Sequence, residues 1–172
     1  MTSARPRPRN MQGSVTANDM EPGSTSPGGD SPPSDFPPGE ITIAEPLWRR
    51  FVPDLSRVVS RAMGLTGCPA NVILTDDRTI QRLNARDRGK NRPTNVLTYE
   101  HPPEILLALG VVRREAAAEK KTVSEHLSHL LVHGSLHLAG YDHEHAGDAK
   151  RMEQAEARLL AVLKIPNPWK QK

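Results

Sequence analysis

The segment HGSLHLAGYDH, residues 133–143, spaces three histidines as His-x3-His-x2-Gly-x2-His. On a helix, His133 and His137 present their imidazoles on one face, one turn apart. Their nitrogens can then reach a single ion about 2 Å away. Gly140 predicts the end of that helix, because glycine readily takes the left-handed conformation that reverses a chain. Tyr141 and Asp142 bring His143 back toward the pair. Three imidazoles leave a fourth position open for water, which is how catalytic zinc sites differ from closed structural ones. The pattern therefore predicts one zinc ion per chain, held by His133, His137 and His143, and hydrolytic chemistry. Nickel and copper also suit three imidazoles. His145 is a less apt alternative to His143. Asp142 and Glu144 flank the third histidine, and either could orient an imidazole or shuttle a proton; Asp142 fits a plain turn equally well.

The same spacing occurs in the metzincin peptidases, which carry Glu directly after the first histidine. Gly134 stands there in this chain, so the usual general base for peptide hydrolysis is missing. That argues against a peptidase and leaves the metal site intact. His126 and His129 lie one to two turns earlier on nearly the same face, either as a polar stripe leading to the site or as surface residues. A second group of interest is RGKNRPTNVL, residues 88–97, with Arg88, Lys90 and Arg92 ahead of a strand. Arginine binds phosphate bidentately and lysine adds a diffuse charge. Its meaning depends on whether the fold brings it beside the histidines.

These residues need a scaffold. ITIAE (41–45) reads as a strand. Trp48, Phe51, Val52, Leu55, Val58, Val59 and Ala62 recur at helical spacing and predict an amphipathic helix over 46–63, kinked or restarted at Pro53. NVILTD (71–76) and NVLTYE (95–100) read as strands. Between them, Ile80, Leu83 and Asn84 share one face of a short helix capped by Asp76 or Asp77. A loop with Pro102 and Pro103 precedes the apolar run 104–112, expected as a further strand, and RREAAAEKK follows as a helix. Residues 122–139 form the helix of the histidine motif, with Thr122 and Glu125 at capping-box spacing and Leu127, Leu130, Leu131 and Leu138 facing a core. A last helix is expected from Asp148 to Leu163, with Met152, Ala155, Leu159 and Val162 as its buried stripe. The order predicts an α/β (α+β-like) domain with a small mixed four-stranded sheet and about five helices.

Residues 1–39 hold eight of the 16 prolines and almost no large apolar groups. Such a segment reads as a disordered, solvated tail, and a transit peptide or an RNA-touching arm is the weaker reading of its RPRPRN run. The domain is expected over 40–166, with 167–172 as a C-terminal tail. The formal charge is +3, and with three Arg and five acidic residues in the first forty, the remainder is about +5. That favours an anionic partner mildly. The single cysteine, Cys68, rules out an internal disulfide and reads as a packing residue. No apolar run approaches the roughly 20 residues needed to span a bilayer. No apolar stretch follows the early arginines as in a secretory signal, so a cytoplasmic protein without membrane partners is expected.

HGSLHLAGYDH, preceded by NARDRGKNRPTNVL and followed by a helix with Met152 and Glu156, resembles the YbeY family of bacterial rRNA maturation factors over roughly residues 70–163. The resemblance implies a single-strand-specific, metal-dependent endoribonuclease acting in small-subunit rRNA maturation and ribosome quality control, with RNA and the small ribosomal subunit as partners. It implies zinc on His133, His137 and His143, and it puts His133 and Arg88 in the reaction, the arginine engaging RNA phosphate. The chain departs from the family pattern at Thr98 and Tyr99, which stand for Ser-Phe. A shortened loop follows, ending at Pro103, Glu104 and Ile105 where the family has Gly-Asp-Ile. The long N-terminal tail is also unusual. Two other readings keep the metal: a ribosome-associated RNA-binding factor whose metal is structural, and a metal-dependent hydrolase of small molecules or peptides.

Overall fold

A computed structural model of the chain describes residues 39–143 and 145–171. The tail expected over 1–39 thus lies, except for Gly39, outside the described residues, as does Glu144. Among the described residues four strands form one mixed sheet in the order β1-β2-β4-β3. They are β1 (Ile41–Ile43), β2 (Asn71–Thr75), β3 (Val96–Glu100) and β4 (Pro103–Ala108). β1 and β4 pair parallel to β2, and β3 runs antiparallel to β4, with Leu97 opposite Leu106. β4 therefore has a neighbour on each side, and its sequence is correspondingly apolar on both faces: Ile105, Leu106, Leu107 and Ala108 are all buried.

Among the described residues six α-helices accompany the sheet: α1 (Trp48–Phe51), α2 (Leu55–Thr66), α3 (Asp77–Arg88), α4 (Leu109–Ala118), α5 (Val123–Leu138) and α6 (Ala146–Val162). The helix expected over 46–63 is two helices. Pro53 and Asp54, the latter at φ 54°, break it, as a ring that cannot continue the hydrogen-bond ladder predicts. The register of apolar residues survives the break, so Trp48, Val52, Leu55, Val59 and Ala62 are all buried. Trp48 also donates its indole N–H to Thr75 O at 3.0 Å, tying α1 to β2.

The run 104–112 does not continue as a strand. It switches to helix at Leu109, and the cause is distant in sequence. The Asp77 carboxylate accepts the Val111 N–H at 3.0 Å and the Arg114 guanidinium at 2.9 Å, which satisfies a backbone donor in the first turn of α4. Gly110 makes room for that carboxylate, since a Cβ there would lie 2.4 Å from Asp77 Oδ2. Asp76 caps α3 by accepting the Thr79 N–H at 2.9 Å. Residues 167–172, expected as a tail, contain a 3-10 turn over Pro168–Gln171.

α5 is the hub. It packs against α2, α4 and α6 and on β3 and β4. The capping box forms as its spacing predicts: Thr122 Oγ1 accepts the Glu125 N–H and Glu125 Oε2 accepts the Thr122 N–H. Leu127, Leu130 and Leu131 are buried in the main core, and Leu138 packs at its edge, as does Cys68. At Gly134 the helix backbone meets the sheet directly. A Cβ there would stand 3.1 Å from Thr98 Cγ2 and 3.2 Å from Ile105 Cγ2. No helix among the described residues is long and apolar enough to cross a membrane.

Two substitutions test this packing by urea denaturation. Leu131→Ala empties a fully buried position and is expected to cost about 2–5 kcal/mol. Gly134→Val overpacks the helix–sheet contact and is expected to cost about 1–3 kcal/mol, outweighing the gain in helix propensity.

Candidate metal centre

His133 and His137 occupy successive turns of α5, as their spacing requires. Gly140, at φ 87°, reverses the chain, and the Tyr141 N–H returns to Leu136 O at 3.0 Å. His143 then follows on the loop. One ligand atom from each of His133, His137 and His143 lies within 4.8 Å of the others. His145 instead sits at the N-cap of α6 and takes no part in the cluster.

Hydrogen bonds on the far side of two rings decide which nitrogens face inward. His133 Nδ1 is 3.1 Å from Glu156 Oε1, and His137 Nδ1 is 3.1 Å from the carbonyl of Tyr141. Both partners only accept, so each Nδ1 carries the proton and each Nε2 keeps a lone pair. Those two Nε2 atoms lie 3.0 Å apart. Two bare nitrogens at that distance repel unless a cation stands between them. A proton is a poor candidate, because burial and then the neighbouring His133 and His143 push the His137 pKa below the ordinary imidazole value. A divalent ion fits: ligands about 2.0–2.1 Å from a tetrahedral zinc are themselves roughly 3.3 Å apart. His143 is the accessible member, its side chain 60% exposed and its Nδ1 3.4 Å from Asp142 Oδ1.

Glu156 is the residue the sequence reading left without a role. It is 0% exposed. Its Oε1 faces His133 Nδ1 and also His129 Nε2 at 3.2 Å. Its Oε2 accepts the Trp169 indole N–H at 2.9 Å. Burial alone would raise its pKa, but the hydrogen bonds from His129 and His133 bring it down to about 2, so it is an ionised acceptor. This is the carboxylate–histidine pairing that fixes a metal-binding imidazole. It also turns α6. Leu160 is buried while Val162 is 57% exposed, so the buried stripe runs Met152, Ala155, Glu156, Leu160 rather than through Val162.

The fold also answers the question left by the basic segment. A cleft of about 610 Å³ is lined by the three clustered histidines together with Arg88, Thr98, Glu100 and Asp142. Arg88 is the last residue of α3, and its Nη2 lies 3.3 Å from Thr98 O. Lys90 and Arg92 are exposed and do not line the cleft. Asn84, buried, holds the segment in place by donating to Arg92 O at 2.8 Å. The Tyr99 hydroxyl donates to Asp87 Oδ2 at 2.6 Å; its partners Arg86 and Tyr99 hold the Asp87 carboxyl at about 2. Tyr99 thus adds a tether between β3 and α3 that a phenylalanine lacks. Glu104 pairs across the sheet with Asn71 and Tyr99, outside the cleft lining.

Such a scaffold, with inward-facing imidazoles and a guanidinium on one polar cleft, defines the class of metal-dependent hydrolases. Comparison with known proteins narrows the class. The family profile described as Endoribonuclease YbeY matches residues 39–164. A protein of that name from Gluconobacter oxydans is 46% identical over 147 residues, covering 77% of this chain and 88% of the relative. Another from Nitrobacter winogradskyi is 40% identical over 153 residues, covering 76% and 80%. The chain belongs to the endoribonuclease YbeY family.

Glu156→Gln keeps the shape of the buried side chain and removes its charge. It is expected to lower the affinity for a divalent transition-metal ion about 10–100-fold, measured by competition with a chromophoric chelator, with the helical circular dichroism retained.

Proposed function

We propose that this chain is a zinc-dependent, single-strand-specific endoribonuclease that acts in the cytoplasm on small-subunit ribosomal RNA, in its maturation and in ribosome quality control. The observation that carries the reading is the shared cleft. Arg88 and the imidazoles of His133, His137 and His143 line one cavity although Arg88 and His133 are far apart in the chain. Family membership supports RNA as the substrate, and the excess of basic residues after the first forty suits a polyanion.

His133, His137 and His143 would hold the ion, which when bound supplies Lewis-acid chemistry at neutral pH. Glu156 and the Tyr141 carbonyl fix the tautomers of His133 and His137, so that both rings present lone pairs before any ion arrives. Arg88 donates to a phosphate oxygen and offsets the charge that builds on the phosphoryl group during cleavage. Its anchorage at the end of α3 sets where that phosphate sits. Asp142, bonded to the His143 N–H at 2.6 Å, and Glu100 are carboxylates that line the cleft among the described residues, placed to accept the proton of the attacking hydroxyl. Gly134 occupies the place of a peptidase's glutamate, and the side chains of Thr98 and Ile105 would crowd the Cβ of one. That supports phosphodiester rather than peptide bonds as the target.

Cleavage of an end-labelled single-stranded RNA, followed on gels beside metal analysis, tests the proposal. His137→Ala is expected to lose bound zinc and, with it, more activity than the 10–100-fold that a supporting residue costs. Retention of both zinc and cleavage would remove His137 from the site. Arg88→Ala is expected to keep its zinc and lose about 10²–10³ in turnover, the scale of one lost charge-stabilising donor. RNA binding should weaken as salt rises, with a shallower slope in Arg88→Ala.

A further inference from the structure

A second group of metal-ligating side chains converges one to two turns before His133. Glu119, the C-cap of α4, and His126 and His129 on α5 each offer a ligand atom, and these atoms lie within 4.8 Å of one another. His126 is 2% exposed, and its Nε2 lies 2.9 Å from Glu115 Oε2. His129 Nε2 lies 3.2 Å from Glu156 Oε1. Carboxylates accept and cannot donate, so in the neutral rings the proton sits on Nε2 and the lone pair on Nδ1. Both Nδ1 atoms are buried without a hydrogen-bond partner, a condition native proteins rarely tolerate without reason. His126 Nδ1 faces Glu119 Oε2 at 3.9 Å. A cavity of about 330 Å³ borders the group, lined also by Glu115 and Trp169, with room for water to complete a coordination shell.

We propose that Glu119, His126 and His129 form a second site for a divalent transition-metal ion, separate from the three-imidazole cluster. Two imidazoles and one carboxylate suit zinc, cobalt, nickel or ferrous iron, whereas calcium and magnesium select all-oxygen sites. Each imidazole is backed by a carboxylate on its far nitrogen, Glu115 for His126 and Glu156 for His129, which is the support that metal-binding histidines receive. Lys121 Nζ, 2.7 Å from Glu119 Oε2, is the cation that holds this carboxylate when no ion does. Glu156 Oε1 contacts both His129 and His133, so an ion on His129 and an ion on His133 polarise the same carboxylate.

Cobalt(II) titration of the metal-free full-length protein, read by visible absorption and by metal content after gel filtration, tests this. The unmodified chain is expected to take two ions. Glu119→Ala alters a side chain that is 45% exposed, and unchanged circular dichroism would show that it folds; it should weaken one of the two by more than about tenfold. Lys121→Met should tighten that same ion. His137→Ala should lose the other ion and keep this one. Saturation of the unmodified chain at one ion, or undiminished binding of two by Glu119→Ala, overturns the second site. Loss of one ion in Glu119→Ala together with two in His137→Ala would support it and reject the three-imidazole reading instead.

Discussion

A carboxylate without contact to water holds two imidazoles and an indole. Glu156 comes from α6, His129 and His133 from α5, and Trp169 from the turn beyond. An ionised acid in such a place is costly unless donors surround it, and the three N–H groups meet that need. Their geometry sets much else. The proton of His133 is fixed on Nδ1, so its Nε2 faces the cleft. The α6 helix is rotated to bring the acid inward. The segment after Pro166 is drawn back onto the domain. A dication bound to His133 would further offset the buried charge, so the fold and the candidate metal site are linked through this one group.

The opposite side of α5 is governed by a different constraint, close approach. Gly134 lets the helix backbone rest on β3 and β4, which brings the motif histidines down to the level of Thr98 and Arg88. A bulkier residue would press on Thr98 and Ile105 at this contact. The missing glutamate and the position of the cleft are thus two results of the same contact.

How much of this the sequence disclosed depended on the range of the interactions. The His133–His137 pair, the reversal at Gly140 and the Thr122–Glu125 capping box are local, and each was legible from spacing. The apolar run 104–112 was not, because Leu109–Val112 is helical on account of Asp77, more than thirty residues earlier. Glu156 was legible as part of a family pattern but not as a buried group, since its partners come from two other segments, α5 and the turn beyond α6. The expected buried stripe of α6 accordingly ran through Val162, which is exposed, and omitted Leu160, which is buried. Arg88 was visible as a cation; only the packing of α3 against β3 and β4 could put it on the histidine cleft, while Lys90 and Arg92 point elsewhere.

The mounting of Arg88 has a consequence for how a nucleic acid would be met. The arginine closes a twelve-residue helix, a rod about 18 Å long at 1.5 Å per residue. At its start, Asp77 clasps α4; near its end, Asp87 grips Tyr99. A strut fastened at both ends sweeps little space, so its terminal guanidinium explores a small volume compared with one carried on a floppy connector. Ordering such a group on contact forfeits less entropy, and a phosphate held there would be gauged against the imidazoles by the length of a rigid bar.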